Sequence, residues 1–331
     1  MRILIQTPAK TGSKKGNRIT ALRWARILRE LNHQVVITSE ASNKNFDLMI
    51  ALHAVKSANA IARFRRTNPN SKIFLALTGT DVYSNSRANT RDNAPEERGR
   101  FLASLESASR IIVLNHDAES RLPKKHKAKS VVILQSSVPP KTIPPPLKRS
   151  FEVVVAGHLR DVKAPFLTPI AARSLPDDSR IRITHVGKAL SAKMRQEAVK
   201  ETTSNSRYRW LGEKTHGETK RLIARAKLLV VSSHIEGGSA VISEALVSGT
   251  PVLATRIPGI EGMLGKDYPG LFGAGDREQL KTLMRKSETS SNFYKRLKTS
   301  CRQLAPQFHP KKEKQAWQLL LHTSQHDSPK R

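Results

Sequence analysis

Short apolar runs alternate with amphipathic segments along almost the whole chain, and one proline-rich stretch interrupts this alternation. Strands are predicted at 3–6, 34–38, 48–52, 73–77, 111–114 and 131–134, and again at 152–156, 181–186, 207–210, 228–232, 251–255 and 270–273. Between the two sets, residues 137–146 contain five prolines, which exclude a helix or a central strand. Strands that alternate with helices form parallel sheets with right-handed crossovers. The sequence therefore predicts an α/β protein with two doubly wound parallel-sheet domains that face each other across a cleft.

The domain boundaries follow from this pattern. The first domain is expected over 1–138, the linker over 139–149, the second domain over 150–290 and a helical tail over 291–331. The last predicted helix, 312–324, carries Trp317, Leu320 and Leu321 on one side, and we expect the tail to pack back toward the first domain. In doubly wound sheets, ligands bind beyond the carboxyl ends of the strands. Residues directly after strands are therefore the candidates for function.

The charge of the chain is strongly positive. Lys and Arg number 58 against 27 Asp and Glu, a formal net charge of +31, so anionic partners such as phosphates are expected. Cys301 is the single cysteine, which excludes an intrachain disulfide and fits a reducing compartment. No apolar stretch approaches the ~20 residues of a membrane span, and residues 1–12 lack the pattern of a signal peptide. We expect a cytoplasmic protein that acts on small-molecule substrates; its oligomeric state is left open.

Residues 236–256, EGGSAVISEALVSGTPVLATR, follow a predicted strand and combine a glycine turn with the start of a helix. Gly237 and Gly238 would let the backbone turn tightly and approach a ligand closely. The helix that begins at Ser239 and Ala240 would direct free backbone N–H groups at the cleft, which suits a phosphate.

Two acids flank this turn, Glu236 before it and Glu244 inside the helix. A carboxylate accepts hydrogen bonds and donates none, so these acids suit hydroxyl groups. A sugar hydroxyl at one acid and the vicinal hydroxyls of a ribose at the other would make the stretch a cradle for a sugar nucleotide. The alternative is structural: an acid that stabilises the helix dipole and a glutamate on an exposed helix face.

A second candidate follows the first strand of the second domain, where Gly157 precedes Arg160 and Lys163. These cations could hold a diphosphate and stabilise the charge that grows on it as it leaves. In so cationic a chain, they could equally be ordinary surface residues.

Together these motifs resemble glycosyltransferase family 4, retaining enzymes of the GT-B fold with two facing Rossmann-like domains. The supporting stretches are 157–163, 185–187, 210–213, 236–244 and 249–252. The resemblance implies that Arg160 and Lys163 face the diphosphate of a nucleotide-sugar donor. It further implies that Glu244 holds the ribose and Glu236 the donor sugar.

The same resemblance implies that the backbone near Leu211 and Gly212 reads the base, which is expected to be uracil. It also places a glycine-rich loop after the first strand. In this chain that loop is cationic, contains Lys14, Lys15, Gly16, Asn17 and Arg18, and precedes a helix predicted to begin at Ile19. Cations beside a helix N-terminus make a strong anion site, although a solvated loop is the alternative.

Many family members carry a histidine just before a glycine that follows the fourth strand, close to the reacting centre. Here that position is Thr78, so the histidine role cannot be carried over. His53, after the third predicted strand, is the nearest alternative, although a histidine at a strand end is more often a packing residue. Both residues are candidates for the acceptor side.

Several stretches also resemble a narrower subgroup, the selenosugar synthases of selenoneine biosynthesis, over nearly the whole length. They are 7–8, 16–25, 51–54, 77–81 and 236–238. This implies that selenophosphate reacts with UDP-glucose or UDP-N-acetylglucosamine to give a 1-selenosugar. Selenophosphate is already anionic and nucleophilic, so it needs cations rather than a strong general base. Thiophosphate would satisfy the same argument.

No cofactor and no metal are expected, because Asp81 is isolated and 177–178 is a predicted loop, while basic side chains can take the place of a metal on a diphosphate. Two other functions stay open. A conventional family 4 enzyme would use a hydroxyl acceptor, such as a lipid at an anionic membrane surface. A nucleic-acid-binding protein would explain the charge, but aromatic residues are only 5% and no nucleic-acid motif is present, so no specific nucleic acid is expected.

Overall fold

The computed structural model of the protein describes residues 1–13, 16–85 and 95–326. The chain divides into two compact units, one formed by Met1–Gln135 with Lys311–Arg331 and the other by Ser136–Pro310. Each unit contains a six-stranded sheet in which all neighbouring strands are parallel. The predicted α/β class with two doubly wound sheets is confirmed.

The described elements of the first unit, apart from its C-terminal helix, are β1 (Arg2–Gln6), α1 (Gly16–Glu30), β2 (Gln34–Thr38), β3 (Leu48–Leu52), α2 (Ala58–Thr67), β4 (Lys72–Leu77), α3 (Thr80–Asn85), α4 (Pro95–Ser107), β5 (Arg110–Val113), α5 (His116–Ser120), α6 (Lys124–Lys127) and β6 (Ser130–Val132). The strand order is β2-β1-β3-β4-β5-β6. The sheet therefore has its topological switch point between β1 and β3, where ligands bind in such folds.

The elements of the second unit are β7 (Phe151–Ala156), α7 (Leu167–Arg173), β8 (Ile181–Val186), α8 (Ala192–Ser204), β9 (Tyr208–Trp210), α9 (His216–Arg225), β10 (Leu228–Val231), α10 (Ala240–Val247), β11 (Val252–Thr255), α11 (Pro258–Leu264), β12 (Leu271–Phe272), α12 (Arg277–Thr289) and α13 (Ser291–Leu304). Short 3-10 helices cover Asp161–Lys163 and Ala305–Phe308, and α14 (Pro310–His326) ends the described chain. The strand order is β12-β11-β10-β7-β8-β9, so the switch point lies between β7 and β10.

Each predicted strand is present, with its ends shifted by no more than two residues. The central strands are apolar on both faces because helices cover both sides of a parallel sheet; all five residues of β3 are buried. Residues 133–150, which include the proline-rich stretch, contain no helix or strand. None of the described helices is long and apolar enough to cross a membrane.

The tail is divided between the two units. Helix α13 packs within the second unit, whereas α14 packs against α1 in the first. The rings of Trp24 and Trp317 meet edge to face, with centroids 5.0 Å apart. The buried carboxylate of Glu313 accepts hydrogen bonds from Trp24 Nε1 at 2.8 Å and from Arg23 Nε at 3.3 Å. Because a buried carboxylate is stable only when it is paired, these contacts fix α14 on α1.

Candidate active site

A pocket opens at the switch point of the second unit. It is lined by the ends of β7 and β10, by the loops that follow them, and by one residue each from β8 and α10. The lining residues are Val155, Ala156, Gly157, His158, Lys163, Pro165, His185, Val230, Val231, Ser232, Ser233, Glu236 and Val241. The carboxyl ends of β7 and β10 are neighbours in the sheet, which brings together loops that are about 70 residues apart in sequence.

A close approach of two glycines forms one wall of this pocket. Gly187, directly after β8, has a φ of +154°, and a Cβ atom there would lie 1.9 Å from the carbonyl oxygen of Gly157. Any side chain at position 187 would therefore push the end of β8 away from the end of β7. His185 lies buried beneath, with its Nδ1 3.0 Å from the hydroxyl of Tyr208. Burial lowers the pKa of His185 to about 4, so this imidazole is neutral near pH 7.

Lys163 and Glu236 form an ion pair in the pocket. Glu236 Oε1 accepts hydrogen bonds from Lys163 Nζ and from Ser233 Oγ, the latter at 2.8 Å. Glu236 is only 8% exposed, whereas the lysine side chain is 25% exposed. The pair thus places a cation and an acceptor-only carboxylate side by side where a ligand can reach them.

The loops that carry this pair are tied to each other. Ser232 Oγ donates to the carbonyl oxygens of Lys163 and Ala164, both at 3.0 Å, and His234 N–H donates to Val162 O at 2.9 Å. Ala164 has a left-handed φ of 41°, which turns the chain back into the unit directly after the lysine. Lys163 is therefore held against the β10 loop by backbone contacts, independently of its own charge.

The two cations of the predicted diphosphate site are placed differently. Lys163 lines the pocket, but Arg160 is exposed and is not among the lining residues. His158 lines the pocket instead, and its Nδ1 accepts a hydrogen bond from the backbone N–H of Lys188 at 3.1 Å. Since Nδ1 accepts, the neutral ring carries its hydrogen on Nε2. His158 was not predicted, because permanently charged side chains were the stronger candidates for a diphosphate site. The position of His158, directly after a glycine at a strand end, could have indicated it.

Helix α10 contributes Val241 to the pocket lining. Ser239 is the N-cap residue of α10, but its side chain makes no capping hydrogen bond. Its backbone N–H donates to Met263 Sδ at 3.3 Å, and a thioether is a weak acceptor. A phosphate oxygen would be a better partner for this buried donor. Neither Gly237 nor Gly238 is among the glycines with a positive φ, so close approach of the backbone to a ligand stays the predicted reason for glycine at both positions.

Glu244 lies in the second turn of α10 and is 5% exposed. Its Oε1 is 2.6 Å from Nε2 of His216, the first residue of α9, while its Oε2 is buried and has no hydrogen-bond partner within the described chain. His216 was also missed, because nothing in the sequence links two residues that are 28 positions apart. The loop before α9 contains the predicted base-reading pair. Leu211 N–H donates to His185 O, and Gly212, with a φ of +68°, accepts from Gly187 N–H.

In the first unit, His53 directly follows β3 at the switch point. It is buried and has a left-handed φ of 73°, a conformation that is uncommon for a residue with a side chain. Its Nδ1 accepts from Lys56 N–H at 3.3 Å and lies 3.9 Å from Asp81 Oδ2. Burial lowers the pKa of His53, and the nearby Asp81 carboxylate opposes that shift.

Asp81 is the centre of a backbone hydrogen-bond network. Its carboxylate accepts from the N–H groups of Ala54, Thr78 and Gly79, each at 2.9 Å. Asp81 therefore ties the loop after β3 to the loop after β4. Thr78 and His53 therefore lie at neighbouring strand ends; that they contact the acceptor stays a prediction.

The cationic loop after β1 ends earlier than expected. Helix α1 begins at Gly16 rather than at Ile19, so Gly16, Asn17 and Arg18 form its first turn. The prediction started the helix at its first apolar residue, but a first turn needs no apolar side chain. The Nε and Nη1 atoms of Arg18 are buried and have no hydrogen-bond partner within the described chain. Lys14 and Lys15 lie outside the described residues.

Comparison with known proteins shows what the second unit is similar to. Residues 141–304, which carry the whole pocket, match the model of the family described as Glycosyl transferases group 1. The chain is a glycosyltransferase. No curated protein matches its sequence.

The glycosyltransferase is similar in fold to several solved structures. A sucrose-phosphate synthase from Thermosynechococcus elongatus superposes with a TM-score of 0.83 at 15% identity, over 99% of both chains. HepE from Anabaena, solved in complex with UDP and glucose, superposes with a TM-score of 0.77 at 16% identity, over 98% of this chain and 100% of that one. A glycosyltransferase from Rickettsia africae gives a TM-score of 0.73 at 13% identity, over 99% of both chains. These likenesses confirm the predicted GT-B fold.

Of the residues predicted for the donor side, three line the pocket of the glycosyltransferase. Lys163 and Glu236 meet in one pocket, with Gly157 on its wall. Among the residues that the structure describes, no group of three or more histidine, cysteine, aspartate or glutamate side chains is arranged to hold a metal ion. That the enzyme works without a metal stays a prediction.

Proposed function

We propose that this glycosyltransferase takes its sugar from a UDP-sugar bound at the switch point of the second unit. The observation that carries the proposal is the juxtaposition of Lys163 and Glu236 in one pocket. A nucleotide sugar presents a diphosphate, which needs cations, next to sugar hydroxyls, which suit an acceptor-only carboxylate. HepE, which is similar in fold, was solved with UDP-glucose, and this supports the choice of donor.

On binding, Lys163 exchanges Glu236 for the donor diphosphate, and His158 donates to the same group through Nε2. The freed carboxylate of Glu236 accepts from a hydroxyl of the donor sugar. Ser239 N–H, at the start of α10, exchanges Met263 Sδ for a phosphate oxygen, which is favoured by the helix dipole. Lys163 Nζ and Ser239 N–H thus each exchange an internal partner for the ligand.

The nucleoside of the donor binds along the same edge of the second unit's sheet, at the carboxyl ends of its strands. Glu244 Oε2, which has no hydrogen-bond partner within the described chain, accepts from a ribose hydroxyl. The backbone of Leu211 and Gly212 reads the uracil, and the left-handed φ of Gly212 shapes this turn. A buried carboxylate oxygen without a partner costs free energy, so a ribose hydroxyl would stabilise the site as well as the ligand.

For the acceptor we propose an anionic nucleophile, with selenophosphate as the specific candidate. Two observations support it: the resemblance to selenosugar synthases, and the buried Nε and Nη1 atoms of Arg18, which lack a partner within the described chain. Guanidinium N–H groups bind phosphate oxygens strongly in a poorly solvated place. Thr78 and His53 lie at the neighbouring strand ends of the same unit.

In the reaction, the bond between the anomeric carbon and the diphosphate oxygen breaks, and UDP leaves with the bonding electron pair. A selenium lone pair of the acceptor forms the new bond to the anomeric carbon. The negative charge that grows on UDP is stabilised by Lys163, His158 and the start of α10. The first product still carries the phosphoryl group on selenium, and hydrolysis of the selenium–phosphorus bond releases the free 1-selenosugar.

The test is an anaerobic assay with UDP-glucose or UDP-N-acetylglucosamine and selenophosphate, in which UDP release and the mass of the product are followed. A selenium-bearing sugar would establish the reaction, and a parallel incubation with thiophosphate would show whether selenium is required. UDP release without selenosugar would refute the acceptor and keep the donor. No turnover and no binding of UDP would refute the donor.

A further inference from the structure

His216 is held in a fixed place at the start of α9. Thr215, the N-cap residue, accepts from Glu218 N–H at 3.2 Å, and the Glu218 carboxylate accepts from Thr215 N–H at 2.9 Å. This reciprocal capping box fixes the backbone on which His216 stands. The imidazole is 51% exposed, yet its Nε2 reaches the nearly buried Glu244 on the neighbouring helix α10 at 2.6 Å.

This contact satisfies only one half of the Glu244 carboxylate. Oε1 accepts from His216, whereas Oε2 is buried and has no hydrogen-bond partner within the described chain. A carboxylate can only accept, so the histidine must carry a hydrogen on Nε2. The bond therefore fixes which oxygen is used internally and which is left for an external donor.

We propose that His216 is a positioning residue for nucleotide recognition: by holding Oε1 of Glu244, it keeps Oε2 available to a ribose hydroxyl of the donor. The inference rests on the proposed function, since it assigns Glu244 to the ribose. It adds His216 as a positioning residue and Oε2 of Glu244 as the atom that accepts from the ribose. Without His216, the carboxylate can rotate and satisfy either oxygen with water, and the preference for a ribose hydroxyl is reduced.

A positioning role differs from a merely structural role in its effect on the relative affinities for UDP and its deoxy analogues. We would measure binding of UDP, 2′-deoxy-UDP and 3′-deoxy-UDP by calorimetry to the full chain. The wild-type protein is expected to bind UDP about tenfold more tightly than the analogue that lacks the recognised hydroxyl, as for a hydrogen bond to a charged group. His216→Ala is expected to reduce this ratio to about twofold.

Two further variants make the result decisive. His216→Gln keeps an N–H donor at a similar reach and is expected to retain most of the discrimination. Thr219→Ala, one turn along α9, removes a hydroxyl that donates to Thr215 O at 3.0 Å, and is expected to behave as wild type. Thermal unfolding of each variant shows that the fold is kept.

The failures of the two proposals are distinguishable with Glu244→Gln. If this change leaves the ratio of the affinities for UDP and its deoxy analogue at the wild-type value, or if the wild-type protein does not distinguish the analogues, Glu244 does not bind the ribose. The ribose assignment and the positioning role of His216 then both fall, whereas the UDP-sugar donor falls only if UDP is neither released nor bound. If Glu244→Gln abolishes the ratio but His216→Ala preserves it, the ribose assignment stands and the positioning role of His216 is overturned.

Discussion

The Lys163–Glu236 pair allows a sharp test of the active site through Glu236→Gln. This change keeps the shape and the hydrogen-bonding reach of the side chain but removes its charge. In the structure, Glu236 holds both Lys163 Nζ and Ser233 Oγ through one oxygen and is 8% exposed. The lysine is a quarter exposed, so water screens part of the lost interaction. We expect the free energy of unfolding to fall by about 1–2 kcal/mol.

The effect on turnover is expected to be larger. If the carboxylate accepts a hydroxyl of the donor sugar in the transition state, its loss removes a charged hydrogen bond worth about 1.5–3 kcal/mol, or about 10- to 150-fold in kcat/KM. Binding of UDP alone, which has no sugar, should be unchanged or slightly tighter. Lys163 no longer needs to leave a charged partner to reach the diphosphate.

Glu201→Gln is the matched control. Glu201 belongs to the same unit, is 7% exposed, and is paired with Arg173 Nε at 3.0 Å and Nη2 at 2.6 Å, but it does not line the pocket. It should lose comparable stability and keep wild-type turnover. Steady-state kinetics of UDP release measures turnover, calorimetry measures the affinity for UDP, and denaturant unfolding measures the free energy of unfolding. Wild-type turnover in Glu236→Gln, together with the same loss of stability as the control, would refute a catalytic role and leave the glutamate as a structural partner of Lys163.

Three further predictions follow from the geometry. His158→Ala should reduce kcat about tenfold, whereas Arg160→Ala should change it less than about twofold; the opposite order in steady-state assays would contradict the placement of these side chains. Glu313→Ala should lower the free energy of unfolding in denaturant by about 3 kcal/mol, because it leaves the indole N–H of Trp24 buried and unpaired; a loss below about 1 kcal/mol would show that α14 is held otherwise. Because burial lowers the pKa of His185 from 6.5 to about 4, the unfolded chain binds a proton that the folded chain does not. Stability should therefore fall by up to about 3 kcal/mol as the pH drops from 6.5 to 4, and His185→Gln should flatten that part of the profile.

The strands were predictable because their pattern is local. A central strand of a parallel sheet is buried on both faces, so it appears as a short continuous apolar run, as in β3. Helix ends were less predictable. The first turn of α1, from Gly16, carries no apolar residue that would mark it, although its later turns carry Ala21, Trp24 and Leu28 on the buried side.

Part of the candidate site could also be predicted from local sequence patterns. Glu236 and Glu244 stand in one continuous motif after a predicted strand, and Lys163 follows another strand, so each could be proposed from its own surroundings. His158 and His216 could not. A histidine after a strand or at a helix start is common, and its role depends on the pocket wall or carboxylate that the fold places beside it.

The strands, the two parallel sheets and the strand ends proposed for chemistry could be predicted from the sequence, because periodicity and turn residues act over a few positions. Which side chains meet depends on contacts between distant parts of the chain. The tertiary structure paired Lys163 with Glu236 and turned Arg160 outward, although both cations lie in the same short turn. It also left one oxygen of Glu244 without an internal partner. The reason is physical: the direction of a side chain depends on backbone torsions such as the left-handed Ala164 and on contacts across about 70 residues, and no local pattern encodes either.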